Sequence, residues 1–584
     1  MDTDTALDTL PRPVTCRDSG APWAVPASRS RARRSVATPP ASDDPGDTGP
    51  WAPLRQPTFR ALWLAILWGN VGTWIHDVAA AWRMAETTGS PLMVAAVQAA
   101  TTLPVVLFAL VAGTLADSID RRRYLILAQW WMLMVATVLA LLAQADLLGP
   151  WTLLALTFAL GTGAAMAMPA QAAIMPELVS RPQLPSAIAL NSAGMNVARS
   201  IGPALGGVVV AQTGVATAFA INALSFLGVA IVLWRWKRTS VPSLLPPEAF
   251  IGGLRSGVRF ALQASAFQSV LWKAIAFFVF ASATPALLPS LVRSRLDGGA
   301  GVFGLLLGCI GLGAICGTLI LPGLRRRFDR DLLVFAATLL CAAATLSVAN
   351  SRSVLVLGVV LFGFGAGWIG VLSSLQVAAQ LSVAAWVRAR ALSLYIVVFA
   401  LGMATGSLVW GALAQRLGIG QALGLAACGA VLAAWWSRRF LIGQAESLDF
   451  TPSAHWPDPL PVDPVAHDRG PVLVTVEYRI GREDQPRFLE LMSDLRRSRR
   501  RDGALYWHLA EDTEQPGVWL EVFVLESWLH HLRQHARTTR DDERLQQQVR
   551  ELNRNPAPPR VRHFIGDRNS AGPMSHRHDE TAPT

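Results

Sequence analysis

Asp77 is the only carboxylate that lies clearly inside an apolar segment of this sequence, and His76 directly precedes it. A charged carboxyl group is costly in hydrocarbon, so burial favours its protonated form and contact with water favours its ionised form. A group of this kind can couple proton movement to a change of conformation, with His76 as a modulator. The alternative is that both residues lie at the outer mouth of the protein and are hydrated there.

Histidines near the C-terminus are the other residues that suggest chemistry: His508, His530, His531 and His535. His531 and His535 have the i, i+4 spacing that places two side chains on one helical face. The run His531-Leu-Arg-Gln-His535 lacks the glutamate of the HExxH zinc motif, so we interpret these as exposed helix-face histidines. The five cysteines show no CxxC spacing, and a Walker A motif is absent from the sequence. We predict no metal site, no cofactor and no catalytic residue.

The composition indicates a membrane protein. Of the 584 residues, 52% are hydrophobic and 16% are charged, whereas an average soluble chain has about 25% charged residues. Between Phe59 and Phe440 the chain is a series of twelve apolar segments, each about 20 residues or longer, which is the length an α-helix needs to cross a bilayer. The net charge of +11 is concentrated at the termini and between these segments, which argues against a nucleic-acid partner.

The connectors between the apolar segments alternate in charge. By the positive-inside rule, the side with more arginine is cytoplasmic, and we expect both termini on that side of the cell membrane. That side carries the arginine clusters Arg121 to Arg123, Arg235 with Arg238, Arg325 to Arg327, Arg388 with Arg390, and Arg438 with Arg439.

An internal repeat with an offset of 204 residues divides the apolar region into two halves. Because the offset spans six helices, an even number, both halves have the same orientation in the membrane. We therefore predict an all-α membrane protein of twelve transmembrane helices in two six-helix repeats. The offset relates Arg121–Arg123 to Arg325–Arg327 and relates Gly113, Gly161, Gly163, Gly202, Gly207 and Gly214 to Gly317, Gly365, Gly367, Gly406, Gly411 and Gly418.

The connector after the second segment reads Gly113-Thr-Leu-Ala-Asp117-Ser-Ile-Asp120-Arg121-Arg122-Arg123. A carboxylate beside arginine, or at a helix N-terminus, makes a contact that can break when two halves move. The run resembles the GxLaDrxGrr signature of the major facilitator superfamily, with Asp120 at the second glycine. The resemblance implies that Asp117 and the arginines hold a cytoplasmic gate. A basic loop that only sets the orientation is the alternative, and Leu321 at the Asp117 position of the second copy predicts a weaker gate there.

The fifth segment contains the run Arg199-Ser-Ile-Gly202-Pro203-Ala-Leu-Gly206-Gly207. Small residues let helices approach closely, and proline removes one backbone hydrogen bond. The run resembles the GPxxGG signature that is typical of exporters in the same superfamily; ordinary helix packing is the alternative. The segments 176–179 and 190–194 resemble the branch that contains the enterobactin exporter and other bacterial efflux proteins, and the resemblance covers about residues 55 to 565.

Few other polar residues lie within the apolar segments. We expect Arg199 to pair with a carboxylate or a carbonyl, and Lys273 to extend its ammonium group from the end of its segment toward water. Amides could line a polar path or bond one helix to another: Gln98, Gln171, Asn191, Asn196 and Asn222.

The composition changes to a soluble pattern after a proline-rich linker. We predict strands at 472–478, 504–510, 518–525 and 560–565, with helices at 485–500 and 526–552. This β-α-β-β-α-β order is that of a small α+β ferredoxin-like domain. It resembles the dimeric α/β-barrel domains related to antibiotic-biosynthesis monooxygenases, which implies pairing of two copies.

These observations predict a secondary active exporter of a small, siderophore-, drug- or metabolite-like molecule. Proton antiport is the expected coupling, and the lipid bilayer and protons are the expected partners, with homodimerisation through the C-terminal domain. The alternatives are an importer, a lipid flippase of the same fold and a membrane-tethered monooxygenase-like enzyme. The predicted divisions are a disordered tail 1–55, a first half 56–236, a connector 237–268 with an amphipathic stretch at 250–262, a second half 269–441, a linker 442–471, the ferredoxin-like domain 472–566 and a disordered tail 567–584.

Overall fold

The computed structural model describes residues 49–236, 250–443 and 468–566, apart from residues 119, 385 and 555–558, together with positions 449, 451, 453, 456, 465 and 466. Six long helices form the first half: α1 (Pro57–Thr88), α2 (Pro91–Ser118), α3 (Arg121–Gln144), α4 (Pro150–Leu178), α5 (Leu184–Thr213) and α6 (Val215–Arg235). A connecting helix, α7 (Phe250–Gln263), covers the predicted amphipathic stretch. The second half contains α8 (Ser265–Ala281), α9 (Ala283–Arg295), α10 (Ala300–Arg325), α11 (Arg330–Asn350), α12 (Val354–Leu381), α13 (Arg388–Leu417) and α14 (Ile419–Ser437).

The helical region contains twelve membrane spans, because α8 and α9 together make one span of 31 residues. Among the described residues, ten spans are long and apolar enough to cross a membrane by composition alone. The other two, α1 and α5, are 32 and 30 residues long and carry Asp77 and Arg199. Both pack inside the bundle, α1 against α5 and α6, and α5 against α10. The prediction of twelve transmembrane helices is confirmed.

The two halves repeat each other most closely in their last three helices. Helices α12, α13 and α14 begin at residues 354, 388 and 419, each 204 residues after the first residue of α4, α5 and α6. Equivalent glycines have equivalent surroundings: Gly161 of α4 faces α2, and Gly365 of α12 faces α10. Gly214 and Gly418 both have positive φ angles, 87° and 92°, in the turns after α5 and α13, where glycine carries no steric cost.

The arginine triplets do not occupy equivalent positions. Arg121–Arg123 form the first turn of α3, whereas Arg325 is the last residue of α10 and α11 begins only at Arg330. The offset of 204 therefore fails in this connector, and the predicted equivalence of the triplets is wrong. Membrane orientation requires positive charge on one side but not at one helical position, so either placement satisfies it.

The C-terminal domain is a four-stranded antiparallel sheet with helices on one face. Its strands are β1 (Val472–Arg479), β2 (Tyr506–Glu511), β3 (Val518–Leu525) and β4 (Arg560–Ile565). Their order in the sheet is β2-β3-β1-β4, which is the ferredoxin-like order and confirms the predicted fold class. Val474, Tyr478 and Phe523 alternate with less buried residues and pack against Phe488 and Leu495 of the first helix. The helices of the domain are α15 (Gln485–Asp502), α16 (Trp528–Arg537) and α17 (Arg540–Glu551).

Two predicted boundaries need correction. The helix expected over 526–552 is two helices, since Thr539 caps α17 and forms a reciprocal capping box with Asp542. The Thr-x-x-Asp spacing is visible in the sequence and marks a helix start. At the other end of the chain, Ala52–Arg55 form a short 3-10 helix in which Ala52 is buried, so the predicted tail ends before this point. The remaining tail residues, 1–48 and 567–584, lie outside the described residues.

Candidate functional site

The two sides of the helical bundle differ in charge. Helices α6, α10 and α14 end on the same side of the bundle, which carries Arg235, Arg325 and Arg438. We call this side the arginine-rich side. The arginine-poor side is the opposite one, where α1 and α5 end and α2 and α10 begin.

The halves make close backbone contacts from the middle of the bundle to the arginine-poor side. A Cβ atom added at Gly207 of α5 would lie 2.7 Å from the Cα of Gly304 in α10. The equivalent glycine, Gly411 of α13, approaches α2, where a Cβ would lie 3.1 Å from the Leu92 Cα. Two contacts of the same kind, α5 with α10 and α13 with α2, therefore hold the halves together.

Polar contacts between the halves occur in the same region. Ser200 of α5 donates a hydrogen bond of 2.8 Å to the carbonyl of Gly311 in α10, near the middle of both helices. On the arginine-poor side, Ser90 Oγ donates to Gln415 Oε1 at 2.7 Å, and Arg293 of α9 donates to the carbonyl of Ala85 in α1. These hydrogen bonds connect the two halves in the middle of the bundle and on its arginine-poor side.

The exporter-like run places small residues on two faces of α5. A Cβ at Gly202 would lie 2.5 Å from Trp74 Cβ, and one at Gly206 would lie 3.0 Å from Ile75 Cα, both in α1. Gly207 instead faces the other half, and the carbonyl of Pro203 lies against Gly304. Arg199 is partly buried in α5 and makes no hydrogen bond or ion pair with the residues that the structure describes, so its predicted pairing is not observed. The small residues of this run therefore let α5 pack closely against α1 of its own half and against α10 of the other half.

We expect Gly207→Val to reduce transport strongly while Gly228→Val leaves it near the wild-type level. The valine Cβ at position 207 meets backbone atoms of α10, which cannot move aside as a flexible side chain can, so the halves cannot close here. At Gly228 of α6 there is open space within 4 Å. Substrate efflux from cells with equal amounts of each variant in the membrane measures the difference. Equal efflux by the two variants would contradict the close-contact role of Gly207.

Asp77 lines a small cavity between the two halves. The cavity has a volume of about 40 Å³ and is lined by Asp77 of α1, Gln98 and Thr101 of α2, and Pro285 and Pro289 of α9. A volume of this size holds one or two water molecules. Within the described part of the chain, the Asp77 carboxylate has no hydrogen-bond or ion-pair partner. The Asp77 side chain therefore faces residues of both halves.

His76 points away from this cavity. Its ring is 1% exposed and lies 5.0 Å from the ring of Phe219 in α6, measured between centroids. Neither ring nitrogen of His76 has a hydrogen-bond partner among the described residues. The structure thus separates the environments of His76 and Asp77, although the two are adjacent in sequence.

The gate-like connector is described only in part. Gly113 and Asp117 lie in α2, but the surroundings of the Asp117 side chain lie outside the described residues. Asp120 caps α3, because its Oδ1 accepts a hydrogen bond of 2.9 Å from the Arg123 backbone N–H. Arg122 donates to the carbonyl oxygens of Leu233, at 2.7 Å, and Trp234, so it caps the last turn of α6. Asp120, and not Asp117, is therefore the carboxylate observed at a helix N-terminus. Aspartate is a preferred N-cap residue, so its place directly before a predicted helix could have indicated this role.

Lys273 forms a buried ion pair that the sequence did not reveal. Its ammonium group is bonded to Asp331 Oδ1 at the start of α11, and the Lys273 side chain is 4% exposed. The same carboxylate accepts backbone N–H bonds from Ile442, at 3.1 Å, and Gly443, at 3.0 Å. The prediction that Lys273 extends to water is wrong, because its ammonium group pairs with Asp331 inside the bundle.

Buried charged groups also join the helices of the C-terminal domain to its sheet. Glu521 is fully buried and accepts hydrogen bonds from Tyr478 Oη, Arg499 Nε and Trp507 Nε1 at 2.9 to 3.0 Å. Asp502 pairs with Arg501 at 2.9 Å. Burial raises the pKa of Asp502 to about 6, although Arg501 opposes the shift. A larger cavity of about 380 Å³ lies nearby, between α15 and strands β2 and β3.

Three histidines meet on the helix face of this domain: His531 and His535 of α16 and His563 of β4. His531 is 1% exposed, so its interpretation as an exposed helix-face residue is wrong. Burial, followed by the neighbouring histidines and Arg499, lowers the pKa of His531 to about 3. His563 was missed because its partners are about thirty residues away in sequence and no local spacing relates them.

The C-terminal domain contacts the arginine-rich side of the bundle. Arg259 of α7 donates a hydrogen bond of 3.1 Å to the carbonyl of Gly503, directly after α15. The guanidinium of Arg537, the last residue of α16, lies 4.1 Å from the ring centroid of Trp386 in the connector between α12 and α13. Both contacts involve connectors of the membrane region.

Comparison with protein families gives one match that covers most of the chain. The MFS_3 model, described as a transmembrane secretion effector, matches residues 48–571. The staphyloferrin A transporter of Staphylococcus aureus is 24% identical over 307 residues, which are 51% of this chain and 75% of the relative. The enterobactin exporter EntS of Escherichia coli is 28% identical over 333 residues, 55% of this chain and 76% of that protein.

Solved structures share the arrangement of the helical region. A bacterial homologue of the human lysosomal transporter Spinster, crystallised in an inward-facing, unoccupied conformation, superimposes with a TM-score of 0.52 and 16% identity. The match covers 67% of this chain and 98% of the crystallised chain. At this identity the likeness concerns the fold alone.

Proposed function

Since the chain belongs to the transmembrane secretion effectors of the major facilitator superfamily, we propose that it exports a small molecule by alternating access, driven by protons. The chain is a multi-pass membrane transporter and not an enzyme, as the family and its named relatives are transporters. The alternative of a membrane-tethered monooxygenase-like enzyme is therefore wrong. We place the protein in a bacterial cell membrane with the arginine-rich side, and hence both termini, in the cytoplasm.

The single observation that carries proton coupling is the position of Asp77. One wall of its cavity is formed by α9, which belongs to the opposite half, so separation of the halves on the arginine-poor side would expose Asp77 further to water. Closure returns the carboxylate to this small cavity and reduces its contact with water. Proton binding and release are in this way tied to which side is open. His76, which faces α6, serves in this proposal only to tune the site.

The described contacts support an exporter that is closed on its arginine-poor side. The glycine contacts of α5 with α10 and of α13 with α2 lie on that side, opposite the gate-like connector. In the alternate state, Asp117 with Arg121 to Arg123 would close the cytoplasmic side, and the run from Arg199 to Gly207 would change its packing against α10. Two exclusive sets of contacts are what a two-state transporter needs.

The cargo that we propose is siderophore-, drug- or metabolite-like, since two relatives are named for staphyloferrin A and enterobactin. The test is transport by the purified protein in proteoliposomes with an imposed pH gradient. Enterobactin, staphyloferrin A and a panel of amphipathic drugs are the cargoes, and a fluorescent phospholipid tests the flippase alternative. Accumulation of a cargo that collapses with a protonophore supports the proposal. Lipid movement without cargo accumulation would replace it with the flippase.

The membrane orientation is tested by reporter fusions after Gly149 and after Gly443. Gly149 precedes α4 on the arginine-poor side, and Gly443 follows α14 on the arginine-rich side. We expect an alkaline phosphatase reporter to be active only at Gly149 and a fluorescent protein that folds in the cytoplasm only at Gly443. The same compartment for both fusions would overturn the arrangement of twelve spans.

We also propose that the C-terminal domain pairs with a second copy. The sheet face opposite the helices exposes large apolar residues on three strands: Tyr506 at 44%, Leu520 at 40% and Phe564 at 47%. An apolar sheet face of this kind is normally covered. A second copy is the occupant that the resemblance to dimeric α/β-barrel domains implies.

A further inference from the structure

We propose that His531, His535 and His563 form a binding site for one divalent transition-metal ion in the C-terminal domain. Each residue offers one ring nitrogen, and the three nitrogens lie within 4.8 Å of one another. Around a tetrahedral ion with metal–nitrogen distances of about 2.0 to 2.1 Å, ligand nitrogens are about 3.3 Å apart. Small side-chain rotations are therefore enough to bring the three imidazoles onto an ion.

The backbone already brings the three imidazoles together. His531 and His535 are one helical turn apart on α16, and their ring centroids are 4.6 Å apart. The ring of His563, on β4, also lies 4.6 Å from that of His531. β4 is held by its antiparallel pairing with β1, in which His563 is opposite Val474. A helix and a strand of the sheet, and not a loop, thus hold the ligands.

The environment of His531 favours a metal ion over simple ring packing. The side chain is 1% exposed, yet neither of its ring nitrogens has a hydrogen-bond partner within the described residues. A buried polar group without a partner is unfavourable, and a metal ion bound to one nitrogen would satisfy it. Trp528 lies 5.3 Å from His531 and Trp456 lies 4.9 Å from His535, between ring centroids. These indoles form apolar walls that limit access of water to the ion.

The chemistry of the ligands selects the class of ion. Three neutral imidazoles suit Zn²⁺, Cu²⁺, Ni²⁺ and Fe²⁺, whereas Mg²⁺ and Ca²⁺ prefer oxygen ligands. Three histidines leave the fourth tetrahedral position for water or another small ligand. The site is also close to the membrane region, because Arg537, two residues after His535, stacks on Trp386. A bound ion would fix α16 against β4 next to this contact.

The test is metal binding by the full-length protein, purified in detergent without a histidine tag and treated with a chelator. Zn²⁺ titration by calorimetry, with metal analysis after dialysis, should give one ion per chain for the wild type. Co²⁺ should give the visible absorption of a tetrahedral nitrogen site, and Mg²⁺ should not bind. His535→Gln and His563→Gln should each weaken Zn²⁺ binding by at least about 10- to 100-fold. Substitution of residues that only hydrogen-bond to a metal ligand already causes a loss of this size. His508→Gln is the matched control, because His508 is exposed on β2 and outside the cluster.

His563 is the decisive position. It is the most exposed of the three, so His563→Gln should keep the domain folded even if substitution of the buried His531 does not. Near-UV circular dichroism checks the fold of each variant. The site is overturned if the wild type takes up no stoichiometric ion, or if His563→Gln is folded and binds Zn²⁺ as tightly as His508→Gln. Neither outcome depends on the transport assay, so failure of this site leaves the proposed exporter unaffected.

Discussion

Asp77→Asn is expected to abolish cargo accumulation driven by a pH gradient while downhill exchange of the same cargo continues. Asparagine has the shape of the protonated carboxyl group but cannot release a proton. Pro285 and Pro289 of the other half line the cavity around Asp77, so the variant should still bring the halves together as the protonated protein does. Cargo movement then no longer depends on the proton gradient. Proteoliposomes measure both quantities, accumulation under an imposed gradient and exchange without one.

Two variants control for effects on packing near Asp77. Thr101→Val changes the lining of the same cavity without removing an ionisable group; the Thr101 hydroxyl donates within α2 to the carbonyl of Val97 at 3.0 Å. His76→Gln alters the neighbouring residue, which faces Phe219 and not the cavity. Both should retain most of the gradient-driven accumulation. If Asp77→Asn also retains the gradient-driven accumulation, another group carries the coupling proton. Asp77 is then only a hydrated polar residue.

The sequence predicted the membrane fold well because the signals for it are local or repeated. Apolar segments of spanning length are local, and an offset of 204 residues could be checked at many glycines. The same offset placed the second arginine triplet at the wrong position relative to its helices. The charge of a connector is required on one side of the membrane, but it is not required in one particular helical turn. Asp77 could also be selected from the sequence, because a single carboxylate within an apolar run is a local feature; its role in proton coupling stays a prediction.

Contacts between distant residues were the features that the sequence could not predict. Lys273 and Asp331 are 58 residues apart, and each alone resembles an ordinary residue at a helix end. His531 and His535 have a recognisable spacing, but only the pairing of β4 with β1 brings His563 to them. Burial of His531 follows from that same packing. Periodicity reports which face of one helix is apolar, but it cannot report which polar side chains two different elements bring together.

The Lys273–Asp331 pair leads to a prediction about the order of three stabilities. Asp331→Asn should destabilise the protein more than Lys273→Met does. Removing the charge of Asp331 leaves the ammonium group of Lys273, which is 4% exposed, without its partner. Breaking a fully buried ion pair from one side costs about 3 to 5 kcal/mol, and we expect a smaller cost here because the Asp331 side chain is 23% exposed. Removing Lys273 instead leaves a carboxylate that still accepts backbone N–H bonds from Ile442 and Gly443 and lies at the N-terminus of α11.

The double variant separates this explanation from a general sensitivity of the region. Adding Lys273→Met to Asp331→Asn should recover part of the lost stability, because no uncompensated charge then remains in the bundle. Thermal unfolding in detergent, followed by tryptophan fluorescence, measures all three variants. Asp146→Asn is the control, since Asp146 is paired with Arg83 at 3.0 Å but its side chain is 87% exposed, and such pairs contribute about 0 to 1 kcal/mol. A double variant no more stable than Asp331→Asn alone would show that the carboxylate acts by holding the chain at Ile442 and Gly443, and not by neutralising Lys273.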